Sequence, residues 1–167
     1  SRMNTVVAPN TLTVQPNGCY HPSLFLAGGI SNCPDWQATM ISLLSCNKNL
    51  VVYNPRRPEF DINDPSVTDQ QIRWEYAAMQ DSDVLVFWFA EGSINPIALY
   101  ELGMWANSRP SRPVFVGVDP QYPRAMDVRM QTQLARPDIT IVGSIPELAL
   151  QVNRFLKPLT SINRGKN

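Results

Sequence analysis

The chain has 167 residues, the length of one ordinary domain with short extensions. Its 14 Lys and Arg residues balance its 14 Asp and Glu residues, so it offers no basic surface for a phosphate backbone, and we expect no nucleic-acid polymer as a partner. Hydrophobic residues make up 44% and charged residues 17% of the chain, which supports a folded core and excludes a disordered chain.

Residues 1–22 differ in composition from the rest of the chain. Pro9, Pro16, Gly18 and Pro22 lie among polar residues and predict an extended N-terminal arm. Over residues 23–158, short apolar runs alternate with segments of helical length, which predicts a single doubly wound α/β domain, flavodoxin- or Rossmann-like, with a five-stranded parallel sheet. Residues 159–167 are predicted to form a polar C-terminal tail. The predicted strands are residues 24–27, 50–53, 84–89, 114–118 and 139–142.

Capping signals mark several predicted helices. Thr68 with Gln71, and Ser144 with Glu147, match the capping-box pattern. Asn95 before a proline indicates an N-cap followed by proline at the first helical position. Three predicted helices cover residues 34–44, 96 to about 107 and 124–134. Two more begin at the capping boxes, one at Thr68 and one at Ser144.

Cysteine and histidine usage excludes several kinds of site. Cys19, Cys33 and Cys46 are widely spaced and form no CxxC pair, so neither a disulfide framework nor a zinc site is expected. His21 is the sole histidine, which excludes a Ser-His-Asp triad and a multi-histidine metal site. No apolar stretch approaches the roughly 20 residues of a membrane span, and the first residues lack a signal-peptide pattern. We expect a cytoplasmic protein without a membrane partner.

The loops after the first two predicted strands are candidate ligand-binding segments, because ligands of open parallel sheets bind at the carboxyl ends of the strands. Gly28 and Gly29, followed by Ile30, let a ligand approach the backbone, although a plain tight turn explains them equally well. Arg56 and Arg57 follow the second strand, either as a phosphate clamp or as solvated side chains.

Two carboxylates are candidate catalytic groups. Glu101 is alone in a helix that is apolar almost all round, where an unpaired charge is costly unless it has a function or an arginine partner. Glu75 lies between Trp74 and Tyr76 in the preceding predicted helix, where a surface glutamate is the alternative interpretation. An aromatic residue such as Trp74 is a candidate for stacking on a planar base. Two carboxylates in an α/β crevice are suited to cleavage of a glycosidic bond.

Three segments in order carry a family resemblance: QIRWE (71–75), DSDVLVFWF (81–89) and NPIALYELG (95–103). With the turns after the first two strands, this set resembles the nucleoside 2-deoxyribosyltransferase family over residues 24–134. The resemblance implies that Glu101 attacks the anomeric carbon of a 2-deoxyribosyl group and that Glu75 contacts the base and moves its proton. It also implies no metal, no organic cofactor and a homo-oligomer, a dimer or larger.

Other positions depart from the family pattern. Asn95 falls where the transferases often carry an aspartate that binds the hydroxyl end of the sugar, and where related nucleotide hydrolases often carry a serine. Family members often borrow an asparagine from a neighbouring subunit, and the corresponding stretch here offers Asp127 and Arg129. The strand-end loops, the aromatic residues and the resemblance together give the candidate substrate-binding residues, which are Gly28, Gly29, Ile30, Arg56, Trp74, Asn95, Asp127 and Arg129.

Three functions are compatible with these residues. The first is transfer of 2-deoxyribose between nucleobases, with a deoxynucleoside and a free base as small-molecule partners. The second is hydrolysis of the N-glycosidic bond of deoxynucleoside 5′-monophosphates, favoured by Arg56, Arg57 and Asn95. The third is a non-catalytic nucleotide-binding module, since doubly wound folds host many functions. Flavodoxin-like electron transfer is disfavoured because the first loop lacks a Ser/Thr-rich phosphate cradle.

Overall fold

All strands of the sheet run parallel. The structure, a computed structural model, describes residues 2–11, 21–59 and 61–161, and this part of the chain forms five strands and five helices. The strands lie in the order β1-β3-β2-β4-β5, so the predicted α/β class and the five-stranded parallel sheet are confirmed. The strands are β1 (Asn4–Val7), β2 (Ser23–Gly28), β3 (Val51–Asn54), β4 (Val84–Phe89) and β5 (Val114–Val118).

Helices cover both faces of the sheet. Alternate residues of β2 and β4 point to opposite faces, and both strands are apolar and almost wholly buried, as expected of central parallel strands. On one face Trp36 anchors the core, and on the other Met79 and Phe87 do. Among the described residues, no helix is long and apolar enough to cross a membrane. The helices are α1 (Trp36–Leu44), α2 (Pro65–Asp81), α3 (Pro96–Ser108), α4 (Ala125–Ala135) and α5 (Ile145–Ser161).

The predicted start of α2 was wrong. The helix begins at Pro65, and Asp64 caps it by accepting a hydrogen bond from the Ser66 amide at 2.9 Å. Thr68 therefore lies inside the helix, and its hydroxyl donates to the Asp64 carbonyl. The pattern of a capping box was present, but an aspartate followed by a proline is the stronger start signal here. Helix α5 does begin after Ser144, whose hydroxyl accepts from the Glu147 amide.

One predicted strand was wrong, and an unpredicted one takes a place in the sheet. Residues 139–142 make a single bridge between Val142 and Gly117 beside β5, so only one residue of that run pairs. At the other edge, β1 pairs with β3 along its whole length, from Asn4 opposite Val51 onward. The prolines that indicated an extended arm lie after this strand, and residues 12–20 lie outside the described part of the chain.

The strand order creates the ligand-binding position. The chain passes from β2 to β3 on one side and then returns to place β4 on the other side of β2. Helices leaving adjacent strands at such a switch point diverge and open a crevice at the carboxyl ends. Here the crevice lies above the ends of β2 and β4, between the loop that begins at Gly28 and the start of α3.

The unpredicted edge strand gives a stability test. Val6 in β1 is buried against the face that carries Met79, so Val6→Ser removes apolar contact and buries a hydroxyl. We expect the free energy of unfolding of the Val6→Ser variant, measured by urea denaturation, to be about 2 kcal/mol lower than that of the parent. Asn4→Ser at an exposed position of the same strand is the control and should change it by less than about 0.5 kcal/mol. Equal stability of Val6→Ser and the parent would show that β1 does not pack on the sheet.

Candidate active site

The loop after β2 forms the floor of a crevice and requires two glycines. A Cβ at Gly28 would lie 2.5 Å from the Trp88 carbonyl oxygen and 2.7 Å from the Trp36 ring. A Cβ at Gly29 would overlap the side chains of Asn95 and Cys33. The glycines therefore let this backbone pack against β4 and against the start of α3, and the plain tight-turn interpretation does not account for that contact.

The crevice holds a cavity of about 380 Å³ at the carboxyl ends of β2 and β4. Its walls come from the β2–α1 loop, the segment after β3, the middle of α2 and the first turns of α3. The lining residues are Gly28, Gly29, Ile30, Ser31, Asn32, Pro55, Arg57, Gln71, Glu75, Ser93, Asn95, Pro96, Ile97, Ala98 and Glu101.

Glu75 of α2 and Glu101 of α3 meet in this cavity, and their carboxyl groups are hydrogen-bonded to each other. Burial raises the pKa of Glu101 to about 8, and the neighbouring charge of Glu75 adds to the rise. Burial also raises the pKa of Glu75, while hydrogen bonds from Gln71 and Glu101 oppose that shift. Because two carboxylates in contact cannot both be charged at neutral pH, the pair holds one proton and one negative charge.

Gln71 holds Glu75 in place. It lies one helical turn before Glu75 on α2, and its side-chain amide nitrogen donates to Glu75 Oε2 at 3.1 Å and to the Pro55 carbonyl oxygen at 2.9 Å. These two bonds tie the acid to the segment after β3. In the sequence Gln71 completes a capping-box pattern, and its spacing of four residues from Glu75 is the signal that links it to the acid.

Asn95 shapes the other side of the cavity. It precedes α3 with φ 51°, in the left-handed region that asparagine tolerates better than most residues. Its side chain makes no capping bond, and its Oδ1 instead accepts from the Cys33 thiol at 3.3 Å. The Nδ2 atom is buried and has no hydrogen-bond partner among the described residues. Tyr122 fixes the preceding turn by donating to the Ile94 carbonyl oxygen.

Arg56 supports the cavity from outside its lining. Its guanidinium donates to the carbonyl oxygens of Ile30 at 2.6 Å and Cys33 at 2.9 Å, and it pairs with Asp35 at 3.6 Å. It therefore braces the β2–α1 loop, while its neighbour Arg57 is the arginine that lines the cavity.

Three other predicted binding residues lie away from the cavity lining. Trp74 packs against Phe25 and Tyr53, and its indole nitrogen donates to a carbonyl oxygen of the N-terminal segment at 2.8 Å. Asp127 lines a second cavity of about 350 Å³ between α3 and α4 and pairs with Arg124 there. The Arg129 guanidinium lies beside Gly143. Their roles in substrate binding remain predictions.

Surface features bear on two further predictions. Cys33 and Cys46 are free thiols, and Cys19 lies outside the described residues.

Ile97 and Tyr100 on α3 are more than half exposed. Exposed apolar side chains on a helix are typical of contact surfaces, and the homo-oligomer remains a prediction.

The fold and the cavity define an α/β protein with a carboxylate pair at a topological switch point. The family model described as nucleoside 2-deoxyribosyltransferase-like matches residues 21–122, more than half of the chain. The chain therefore belongs to this family, which confirms the resemblance seen in the sequence. The matched segment contains both Glu75 and Glu101, whereas Asp127 and Arg129 lie beyond it. No curated protein sequence matches the chain.

The raised pKa of Glu101 gives a second stability test. An unfolded glutamate ionises near 4.5 and the folded Glu101 near 8, so the folded state keeps a proton that the unfolded state has lost. The contribution of Glu101 to the free energy of unfolding therefore falls as the pH rises from about 4.5 to about 8. We expect Glu101→Gln to be more stable than the parent by about 1–3 kcal/mol near pH 8, with a much smaller difference near pH 4.5.

The measurement is urea denaturation at several pH values, with Glu91→Gln at an exposed position as the matched control. If Glu101→Gln were no more stable than the parent near pH 8, the surroundings of Glu101 would not disfavour ionisation of its carboxyl group.

Proposed function

We propose that this protein cleaves the N-glycosidic bond of 2′-deoxynucleosides and transfers the 2-deoxyribosyl group to an acceptor nucleobase. The observation that carries the proposal is the hydrogen-bonded pair of Glu75 and Glu101 in the switch-point cavity. Cleavage of such a bond needs a nucleophile and a proton donor. Two adjacent carboxyl groups that hold one proton and one negative charge supply both. Membership in the nucleoside 2-deoxyribosyltransferase-like family supports the substrate class.

In the first step, a carboxylate oxygen of Glu101 attacks C1′ of the sugar and forms a glycosyl ester. The bond between C1′ and the base nitrogen breaks, and its electron pair goes to the base. Glu75 donates a proton to the leaving base, which departs neutral.

The proton reaches Glu75 within the pair. The Gln71 amide donates to the Glu75 carboxylate, which favours charge on Glu75 and the proton on Glu101. Because the two carboxyl groups are hydrogen-bonded, the proton passes from Glu101 to Glu75 when a base approaches Glu75. This transfer leaves Glu101 ionised and ready to attack.

The second step reverses the first with a new base. A nitrogen of the acceptor base attacks C1′, the bond between C1′ and Glu101 breaks, and the carboxylate is restored. Glu75 takes the proton that the acceptor nitrogen loses, so the pair regains its original charge. These steps require only proton transfer and nucleophilic substitution, and we propose no metal or organic cofactor for them.

A second candidate function is hydrolysis of deoxynucleoside 5′-monophosphates, with water as the acceptor in the second step. Two observations favour it: Arg57 lines the cavity, and so does Asn95, whose side chain is neutral. A cation is suited to a phosphate oxygen, and a neutral side chain at position 95 does not repel it as an aspartate would.

A chromatographic assay separates these functions. Purified protein is incubated with adenine and either thymidine or 2′-deoxycytidine, and separately with deoxynucleoside 5′-monophosphates without an acceptor. We expect 2′-deoxyadenosine in the first arm, and Glu101→Ala should slow its formation at least about 1000-fold because the nucleophile is lost.

Glu91→Ala is the matched control and should retain the parent rate. Free base released only from the monophosphates would select the second function. No turnover in either arm would contradict both and favour a nucleotide-binding module.

A further inference from the structure

Asn95 has a backbone conformation that its place in the sequence disfavours. Its φ of 51° and ψ of 61° lie in the left-handed region, and the next residue is Pro96. A residue before proline normally adopts an extended conformation, because the proline ring disfavours helical backbone angles. A left-handed residue other than glycine costs free energy and persists where its surroundings hold it. Contacts elsewhere in the fold must therefore hold Asn95 in this conformation.

The alternative conformation of Asn95 is an ordinary helix cap. Asp35 and Asp64 precede α1 and α2 with negative φ, and each accepts a hydrogen bond from an amide of its helix. Asn95 holds the same position before α3 and carries a suitable side-chain oxygen, yet it makes no such bond. Its side chain lies instead against Gly29 and the Cys33 thiol, in the wall of the switch-point cavity. Asn95 thus has two available states, one that forms the cavity wall and one that caps the helix.

Tyr122 holds the peptide group that determines which state is occupied. Its hydroxyl donates a hydrogen bond to the carbonyl oxygen of Ile94. That oxygen belongs to the planar peptide group that joins Ile94 to Asn95, and the φ angle of Asn95 is the rotation of this group about the N–Cα bond. A fixed Ile94 carbonyl therefore fixes φ of Asn95. Tyr122 is 3% exposed and its ring centroid lies 5.3 Å from that of Phe89, so its hydroxyl has little freedom to move.

We propose that Tyr122 is a positioning residue, which keeps Asn95 left-handed and thereby keeps the wall of the switch-point cavity in its binding conformation. Without the Tyr122 hydroxyl, Asn95 turns to an extended conformation and caps α3. Its side chain then leaves Gly29 and releases the Cys33 thiol. The consequence for turnover rests on the proposed function, whereas the consequence for Cys33 does not.

Alkylation of Cys33 reports the state of Asn95 without any turnover. The full chain is treated with iodoacetamide for increasing times, and the modified peptides are quantified by mass spectrometry. Tyr122→Phe keeps the ring and removes the hydroxyl, so we expect its Cys33 to react at least about 5-fold faster than that of the parent, the effect of one lost hydrogen bond on a local equilibrium. Cys46, an exposed thiol, is the internal reference and should react at the same rate in both proteins.

Steady-state kinetics measure the consequence for the reaction. A substrate that binds only the left-handed state draws Asn95 back into it, so a smaller population of that state raises KM and leaves kcat unchanged. We expect KM of Tyr122→Phe for the deoxynucleoside to be at least about 5-fold higher than that of the parent, with kcat within about 2-fold. A loss of overall stability alone would change neither constant in the folded protein.

Tyr53→Phe is the matched control for both measurements. It also removes a hydrogen-bonded hydroxyl from a buried tyrosine, whose partner is Asp81 at 3.4 Å, and Tyr53 does not contact the turn before α3. This variant should keep the parent rate at Cys33 and the parent KM.

Nuclear magnetic resonance tests the starting conformation on the parent protein, so the inference stays open to refutation if Tyr122→Phe fails to fold. A positive φ brings the amide proton close to the α proton of the same residue. Asn95 should therefore give a strong intraresidue nuclear Overhauser effect in the parent and a weak one in Tyr122→Phe. A weak effect in the parent would show that Asn95 is not left-handed and would overturn the inference.

Two further results would also overturn it: alkylation of Cys33 at the parent rate in Tyr122→Phe, or a fall in kcat with KM unchanged. The same experiments separate these results from failure of the function. Faster alkylation in a protein without turnover supports the role of Tyr122 and contradicts the reaction, whereas base exchange with unchanged alkylation overturns the role of Tyr122 alone.

Discussion

Glu75 and Glu101 hydrogen-bond to each other inside a crevice that raises the pKa of both carboxyl groups. Such a contact is unfavourable when both groups are charged and favourable when they share one proton, so the cavity fixes the charge state of the pair. Much of the local structure serves this contact. Gln71 orients one acid, the apolar helix α3 buries the other, and the segment after β3 anchors Gln71 through the Pro55 carbonyl oxygen.

The sheet brings these groups together by topology and close packing. The strand order reverses at β2, and this switch point opens the crevice. Gly28 and Gly29 let the loop after β2 pack closely against β4 and the start of α3. Asn95 accepts a left-handed backbone at the start of α3, which directs its side chain to the glycine loop instead of to the helix end. Arg56 then braces the outside of the same loop. The cavity is thus bounded by backbone whose conformation tolerates little change.

The sequence allowed the central part of this structure to be predicted. Continuous apolar runs identify β2, β4 and β5 because strands buried on both faces carry few polar residues. Glu101 stood out because a lone charge in an apolar helix is costly. Edge elements were harder to predict: β1 is short and followed by prolines, and only Val142 of a similar apolar run pairs with the sheet. Contacts between distant segments, such as Trp74 with the N-terminal segment, depend on packing that no local pattern encodes.

The most direct test of the account is to locate the sugar on the enzyme. Protein incubated with 2′-deoxycytidine is quenched in acid, digested and mapped by mass spectrometry, with Glu101→Ala treated in parallel. The account predicts a 2-deoxyribosyl ester on the peptide that contains Glu101, absent from the variant. An ester on the peptide that contains Glu75, or sustained turnover without an ester on either peptide, would contradict it.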